Sequence, residues 1–170
     1  MLALAMAAVA LCGCGKREAP LPPDAVVLGF GDSLTEGCGA DAAQDYPAVL
    51  ATLLGCKVVN GGVSGENSGD GAERLPGLLR EVRPSVVVIC TGGNDFLRSA
   101  SEADVARNLR RMVEACRAAD AKVVLLGVPR PGLILRAAPL YAELAKQARV
   151  PYDGRIVPHV LSSPTLKSDL

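Results

Sequence analysis

Three short segments of the 170-residue chain hold side chains able to do chemistry: 31–37 (GDSLTEG), 60–68 (NGGVSGENS) and 91–95 (TGGND). Ser33 offers a hydroxyl that becomes a nucleophile once a base accepts its proton. Backbone N–H groups and the Asn94 carboxamide are the donor types that stabilise an oxyanion developing in acyl transfer. Gly65 lets backbone approach a ligand without a Cβ in the way. Each residue alone also fits a plainer role. Gly-Asp-Ser can be a turn or helix cap, Gly65 a turn glycine, and Asn94 a capping residue.

Chemistry of this kind requires elements that bring the three segments together. Residues 25–30 (AVVLGF), 57–59, 85–90 (SVVVIC) and 122–128 (KVVLLGV) are apolar runs without alternation, the pattern of strands covered on both faces of a parallel sheet. Helical stripes lie between them. Tyr46, Val49, Leu50, Leu53 and Leu54 form one beside Pro47. Leu75, Leu78, Leu79 and Val82 form another, with a kink expected at Pro76-Gly77. Val105, Leu109, Met112, Val113 and Cys116 form the clearest, and Leu140, Leu144 and Ala148 a fourth that ends before Pro151. The alternation predicts an α/β fold, a three-layer α/β/α sandwich with right-handed crossovers. All three chemical segments then follow strands and converge at one edge of the sheet, where sites in such folds form.

Composition sets the wider frame. Apolar residues make up 49% of the chain, enough for a buried core, while 18 basic and 18 acidic residues cancel. No basic stripe points to nucleic acid as a partner. Residues 1–12 (MLALAMAAVALC) are uncharged and apolar, too short to span a bilayer as a helix but suited to a signal-peptide core. The Leu11-Cys12-Gly13-Cys14 sequence resembles a bacterial lipobox, with Cys14 as the acylated residue. Residues 1–14 therefore read as a leader, 15–24 (GKREAPLPPD) as a Pro-rich tether, and 25–170 as one domain. The expected location is the cell envelope, periplasmic and held to the membrane through lipid on Cys14. A plain secretory signal is the alternative. Cys38, Cys56, Cys90 and Cys116 lack metal-ligand spacing, so no metal is expected. Cys90 and Cys116 read as small core residues.

The three segments together resemble the first three blocks of SGNH (GDSL-type) hydrolases, in the order found in bacterial thioesterases, lysophospholipases and arylesterases. The resemblance runs from about residue 25 to the end of the chain. It implies a flavodoxin-like, mainly parallel sheet and a carboxylic ester or thioester hydrolase that works through an acyl-serine intermediate without cofactor. It implies Ser33 as nucleophile and an oxyanion hole built from the Ser33 N–H, the Gly65 N–H and the Asn94 carboxamide. Asp32 and Asp95 are expected to support their loops by local hydrogen bonds. The family's fourth block is Asp-x-x-His, and Leu166-Lys167-Ser168-Asp169 matches its start, so Asp169 corresponds to the aspartate that orients the catalytic histidine.

That histidine is not among the 170 residues, whose single histidine is His159. His159 precedes Asp169 and does not fit Asp-x-x-His, and Asp153 does not repair the pattern. The expectation is a domain that stops before its histidine and final helix, is severely impaired as given, and takes a small ester or thioester as substrate. The competing reading is a non-catalytic envelope lipoprotein that keeps the fold as a binding module. Nucleotide binding finds no support, since neither a P-loop nor Gly-x-Gly-x-x-Gly is present. The Gly-x-Ser-x-Gly elbow of α/β-hydrolases is absent as well.

Overall fold

The computed structural model describes residues 20–163 apart from Pro23 and Ala42. Cys14 and Asp169 lie outside these described residues. The element order is β1 (Val26–Gly31), α1 (Ser33–Glu36), α2 (Tyr46–Leu54), β2 (Lys57–Gly62), α3 (Ser68–Val82), β3 (Val86–Cys90), α4 (Gly93–Leu97), α5 (Glu102–Ala118), β4 (Lys122–Leu126), α6 (Pro139–Ala148), β5 (Tyr152–Asp153) and α7 (Ile156–Ser162). The strands form one sheet in the order β2-β1-β3-β4-β5, and every pairing is parallel. This is the flavodoxin-like arrangement expected. From β1 the chain passes first to β2 on one side and later to β3 on the other. The carboxyl ends of β1 and β3 therefore flank the switch point where α/β sheets open a crevice.

The central runs of β1 and β3 bury both of their faces, as parallel strands must when helices cover each side, while edge strand β2 is largely half-buried or exposed. Leu28, Phe30, Val87, Ile89, Val123 and Leu125 point into the larger core, which holds the stripe of α5 (Val105, Leu109, Met112, Val113, Cys116) and the buried face of α6 (Leu140, Tyr141, Leu144). The alternate residues Val27, Val86 and Val88 pack on the opposite face with Cys56, against Leu50 of α2. Cys90 and Cys116 are buried free thiols, in keeping with a packing role.

Three expectations need correction. A fifth strand, Tyr152–Asp153, was not anticipated, because two residues show no periodicity. Strand β2 continues to Gly62, so the first third of the Gly-rich second segment is strand rather than loop. The stripe on α2 is not buried: Val49 and Leu53 are 45% and 76% exposed. This helix packs against β2, an edge strand, and the sheet does not extend far enough beneath it to cover its full apolar face. Helix α3 spans Ser68–Val82 with Pro76 inside it.

Candidate active site

The site begins where β1 ends. Gly31 is the last strand residue, and a Cβ there would stand 1.9 Å from the Cys90 carbonyl oxygen and 2.4 Å from Thr35 Oγ1. Only glycine lets β1 run this close to β3 while the chain turns directly into α1. Asp32 then caps α1, its Oδ1 accepting the Leu34 N–H at 3.1 Å. Ser33 is the first residue of that helix and is half-buried. Its N–H, like others in a first helical turn, has no intrahelical acceptor.

The second loop is fastened to the first. The Val63 N–H donates to the Gly31 carbonyl at 3.0 Å, and Ser64 Oγ donates to the Glu36 carboxylate. The Glu66 N–H closes a turn onto the Val63 carbonyl at 3.2 Å, with Gly65 as its third residue at φ +76°. That conformation belongs to a type II turn and favours glycine. Gly65 is exposed, and a Cβ built on it would find no atom within 4 Å.

The third loop reaches the second directly. Asn94 Nδ2 donates to the Glu66 carbonyl at 3.0 Å, and Arg98 Nη2 donates to the Gly65 carbonyl at 3.0 Å. Asn94 is therefore not a cap for its own helix; the N-cap of α4 is Gly92, without a side-chain bond. One amide hydrogen of Asn94 is used on Glu66, which leaves its second for another acceptor. The structure thus ties the Gly65–Glu66 turn to Asn94 on one side, and to Gly31, two residues before Ser33, on the other.

Of the two carboxylates expected to bond locally, Asp32 does so through the Leu34 amide and Asp95 does not. Asp95 accepts the Ser68 N–H at 2.7 Å and the Ser68 hydroxyl at 2.6 Å, across 27 residues. Asn108 of α5 completes the buried set by donating to Ser68 Oγ at 3.0 Å. Asp95 thereby satisfies the first amide of α3 from another loop, while Asn67 Oδ1 takes the next two, Gly69 and Asp70. Asp32 is buried, and its Oδ2 has no hydrogen-bond partner within ordinary distance among the described residues. Loss of water pushes its carboxyl up to about 6. The charge of Asp95 adds to that rise, and the Leu34 and Gly93 amides oppose it.

His159 is exposed on α7 and lines an open groove of about 420 Å³ with Arg136, Tyr152 and Arg155. Ser33, Gly65 and Asn94 are not among the groove's lining residues. Asp153 is occupied in accepting the Arg155 and Ile156 amides at the start of α7.

Residues 30–156 match the model of the GDSL-like lipase/acylhydrolase family, a span that includes all three loops. The chain belongs to this family. Among curated relatives it is 42% identical over 110 residues to the esterase TesA of Pseudomonas aeruginosa, a match covering 62% of this chain and 55% of that one. The aligned part thus spans little more than half of that relative's length. It is 34% identical over 150 residues to thioesterase 1/protease 1/lysophospholipase L1 of Escherichia coli K12, covering 84% of this chain and 72% of that enzyme. Among solved structures, the SGNH-hydrolase family esterase AlinE4 superposes with a TM-score of 0.78 at 28% identity, over 88% of this chain and 86% of its own. SGNH family membership agrees with the five-stranded parallel sheet. Sequence reasoning missed the Glu66–Arg74, Ser68–Asp95 and Gly65–Arg98 contacts, since nothing in the spacing of these residues sets them apart from ordinary surface charges and loop polar groups.

Proposed function

We propose that this protein is a serine hydrolase of carboxylic esters or thioesters that works through an acyl-Ser33 intermediate. Ser33 Oγ attacks the acyl carbon, the ester C–O or thioester C–S bond breaks, and water later releases the acid. The Ser33 N–H, the Gly65 N–H and the free Asn94 amide hydrogen receive the oxyanion in each step. The observation that carries this reading is the Asn94–Glu66 hydrogen bond, which holds the third loop against the turn that contains Gly65. In this reading three donors of the required type flank the carboxyl end of β1, and each such donor is worth about 2.7–4 kcal/mol in a transition state. The names of the relatives, esterase and thioesterase, agree with the substrate class.

The base in this proposal is a histidine placed by an Asp-x-x-His block that starts at Asp169. His159 is exposed and does not serve as that base. A chain of residues 1–170 alone is then expected to turn over esters about 10⁴–10⁶-fold more slowly than one completed by such a histidine. The test compares p-nitrophenyl ester hydrolysis by the 170-residue chain with the same chain extended by a relative's C-terminal segment, each with and without Ser33→Ala. Covalent labelling by a fluorophosphonate in the extended chain, abolished by S33A, separates an enzyme from a binding module. Turnover that survives S33A defeats the proposal. We also propose export, with lipid on Cys14, on the strength of the apolar leader; retention of radiolabelled palmitate by the parent and not by Cys14→Ser checks it.

A further inference from the structure

Gly65 is exposed, and among the described residues a Cβ on it would meet no atom; Arg98 reaches only its carbonyl, so the direction of its N–H has to be set by the turn that holds it. The decisive neighbour is Glu66, which is held twice. Its carbonyl accepts from Asn94, and its side chain, only 8% exposed as a residue, meets Arg74 of α3 side-on, Nε to Oε1 at 2.6 Å and Nη2 to Oε2 at 2.7 Å. The same Nη2 donates to the Gly61 carbonyl near the end of β2 at 3.0 Å. The guanidinium lies over the ring of Phe30, with Cζ 4.4 Å from the centroid. Helix α3 presses close to this pair because residue 71 is glycine: a Cβ there would stand 3.1 Å from Glu66 Oε2.

We propose that Arg74 is a positioning residue for the oxyanion hole, acting through Glu66 to fix the turn that presents the Gly65 N–H. The proposal rests on the ester-hydrolase reading for its catalytic consequence, although the effect on the turn does not. One guanidinium joins β1, β2 and the turn, which demands a planar fork with several donors in fixed directions. A lysine ammonium keeps the charge but cannot supply the paired bonds to Glu66 together with the one to Gly61. Without Arg74 the Glu66 carboxylate is buried with no counter-charge. It then swings towards water and releases the turn from its α3 side. Arg74 touches no reacting atom in this scheme.

The experiment has two arms, run on R74M, R74K and E66Q. The first measures amide hydrogen exchange in the 170-residue chain. The Glu66 and Val63 amides, bonded to Val63 and Gly31, are expected to exchange at least tenfold faster in all three variants, while core amides of α5 such as Leu109 and Met112 keep their protection. The second measures ester hydrolysis in the extended chain, where kcat is expected to fall about 10–100-fold, part of the loss of one donor, with KM changed less than threefold. Should R74M not fold, R74K and E66Q carry both arms. Parental exchange at Glu66 and Val63 in folded variants overturns the proposal, as does a parental kcat. If the extended parent itself has no Ser33-dependent turnover, the ester-hydrolase reading fails, and the exchange arm alone decides whether Arg74 holds the turn.

Discussion

The contact that most directly tests how the loops are assembled is the buried Asp95 carboxylate. It takes two hydrogen bonds from Ser68, and Asn108 donates to the same serine. Asp95→Ala removes the acceptor and leaves the Ser68 N–H and the hydroxyl hydrogen without an acceptor in a site that water does not reach, although Asn108 still donates to the hydroxyl oxygen. Hydrogen bonds to a charged group are worth about 1.5–3 kcal/mol each, so the loss of two comes to about 4 kcal/mol. That is a large part of the 5–15 kcal/mol typical of a whole domain. Asp95→Asn retains one acceptor for the Ser68 N–H and loses the charge, for a loss of about 2 kcal/mol. With a urea slope of about 2 kcal/mol/M, the unfolding midpoint should fall by about 2 M for D95A and about 1 M for D95N. Urea titration followed by circular dichroism reads both, and the order parent, D95N, D95A is as informative as the size. A D95A midpoint within 0.5 M of the parent would refute the reasoning, since it would mean that Ser68 finds other partners and that this network does not clamp α3 to the third loop.

Two further predictions separate space from conformation and fix the sign of a pH effect. Gly31→Ala drives a Cβ into the Cys90 carbonyl and should cost more than about 3 kcal/mol, whereas Gly65→Ala meets no atom and should cost only the 1–2 kcal/mol of a left-handed backbone; equal unfolding midpoints for the two variants would contradict this. Asp32 is raised from 3.8 to about 6, so the fold favours its protonated form. Its contribution is therefore most favourable below about pH 4 and is lost as pH rises through about 6, by about 3 kcal/mol in all. Stability measured at pH 4.5 and 7.5 should fall less in Asp32→Asn than in the parent, and an identical fall in both would exclude the effect.

Much of the architecture was legible in the sequence, for reasons that are local. Consecutive β-branched residues in 85–90 signal a strand buried on both faces, found with nearly correct ends, and the α5 stripe repeats at helical spacing and lies wholly inside the helix. Three Gly-rich segments after three strands placed the candidate site, because a parallel sheet sends all of its strand ends to one edge. Other features needed the tertiary structure. Whether the α2 stripe is buried depends on how far the sheet extends beneath it, and that is a property of strand order. Asp95, Glu66 and Arg74 look like ordinary charged residues along the chain. Their partners, Ser68 for Asp95, and Asn94 and Phe30 for the Glu66–Arg74 pair, lie 27 to 44 residues away and meet them only through crossover connections. Periodicity reports which face of an element is apolar; it carries no information about which polar group another loop will present, and that choice is made when the strands pair.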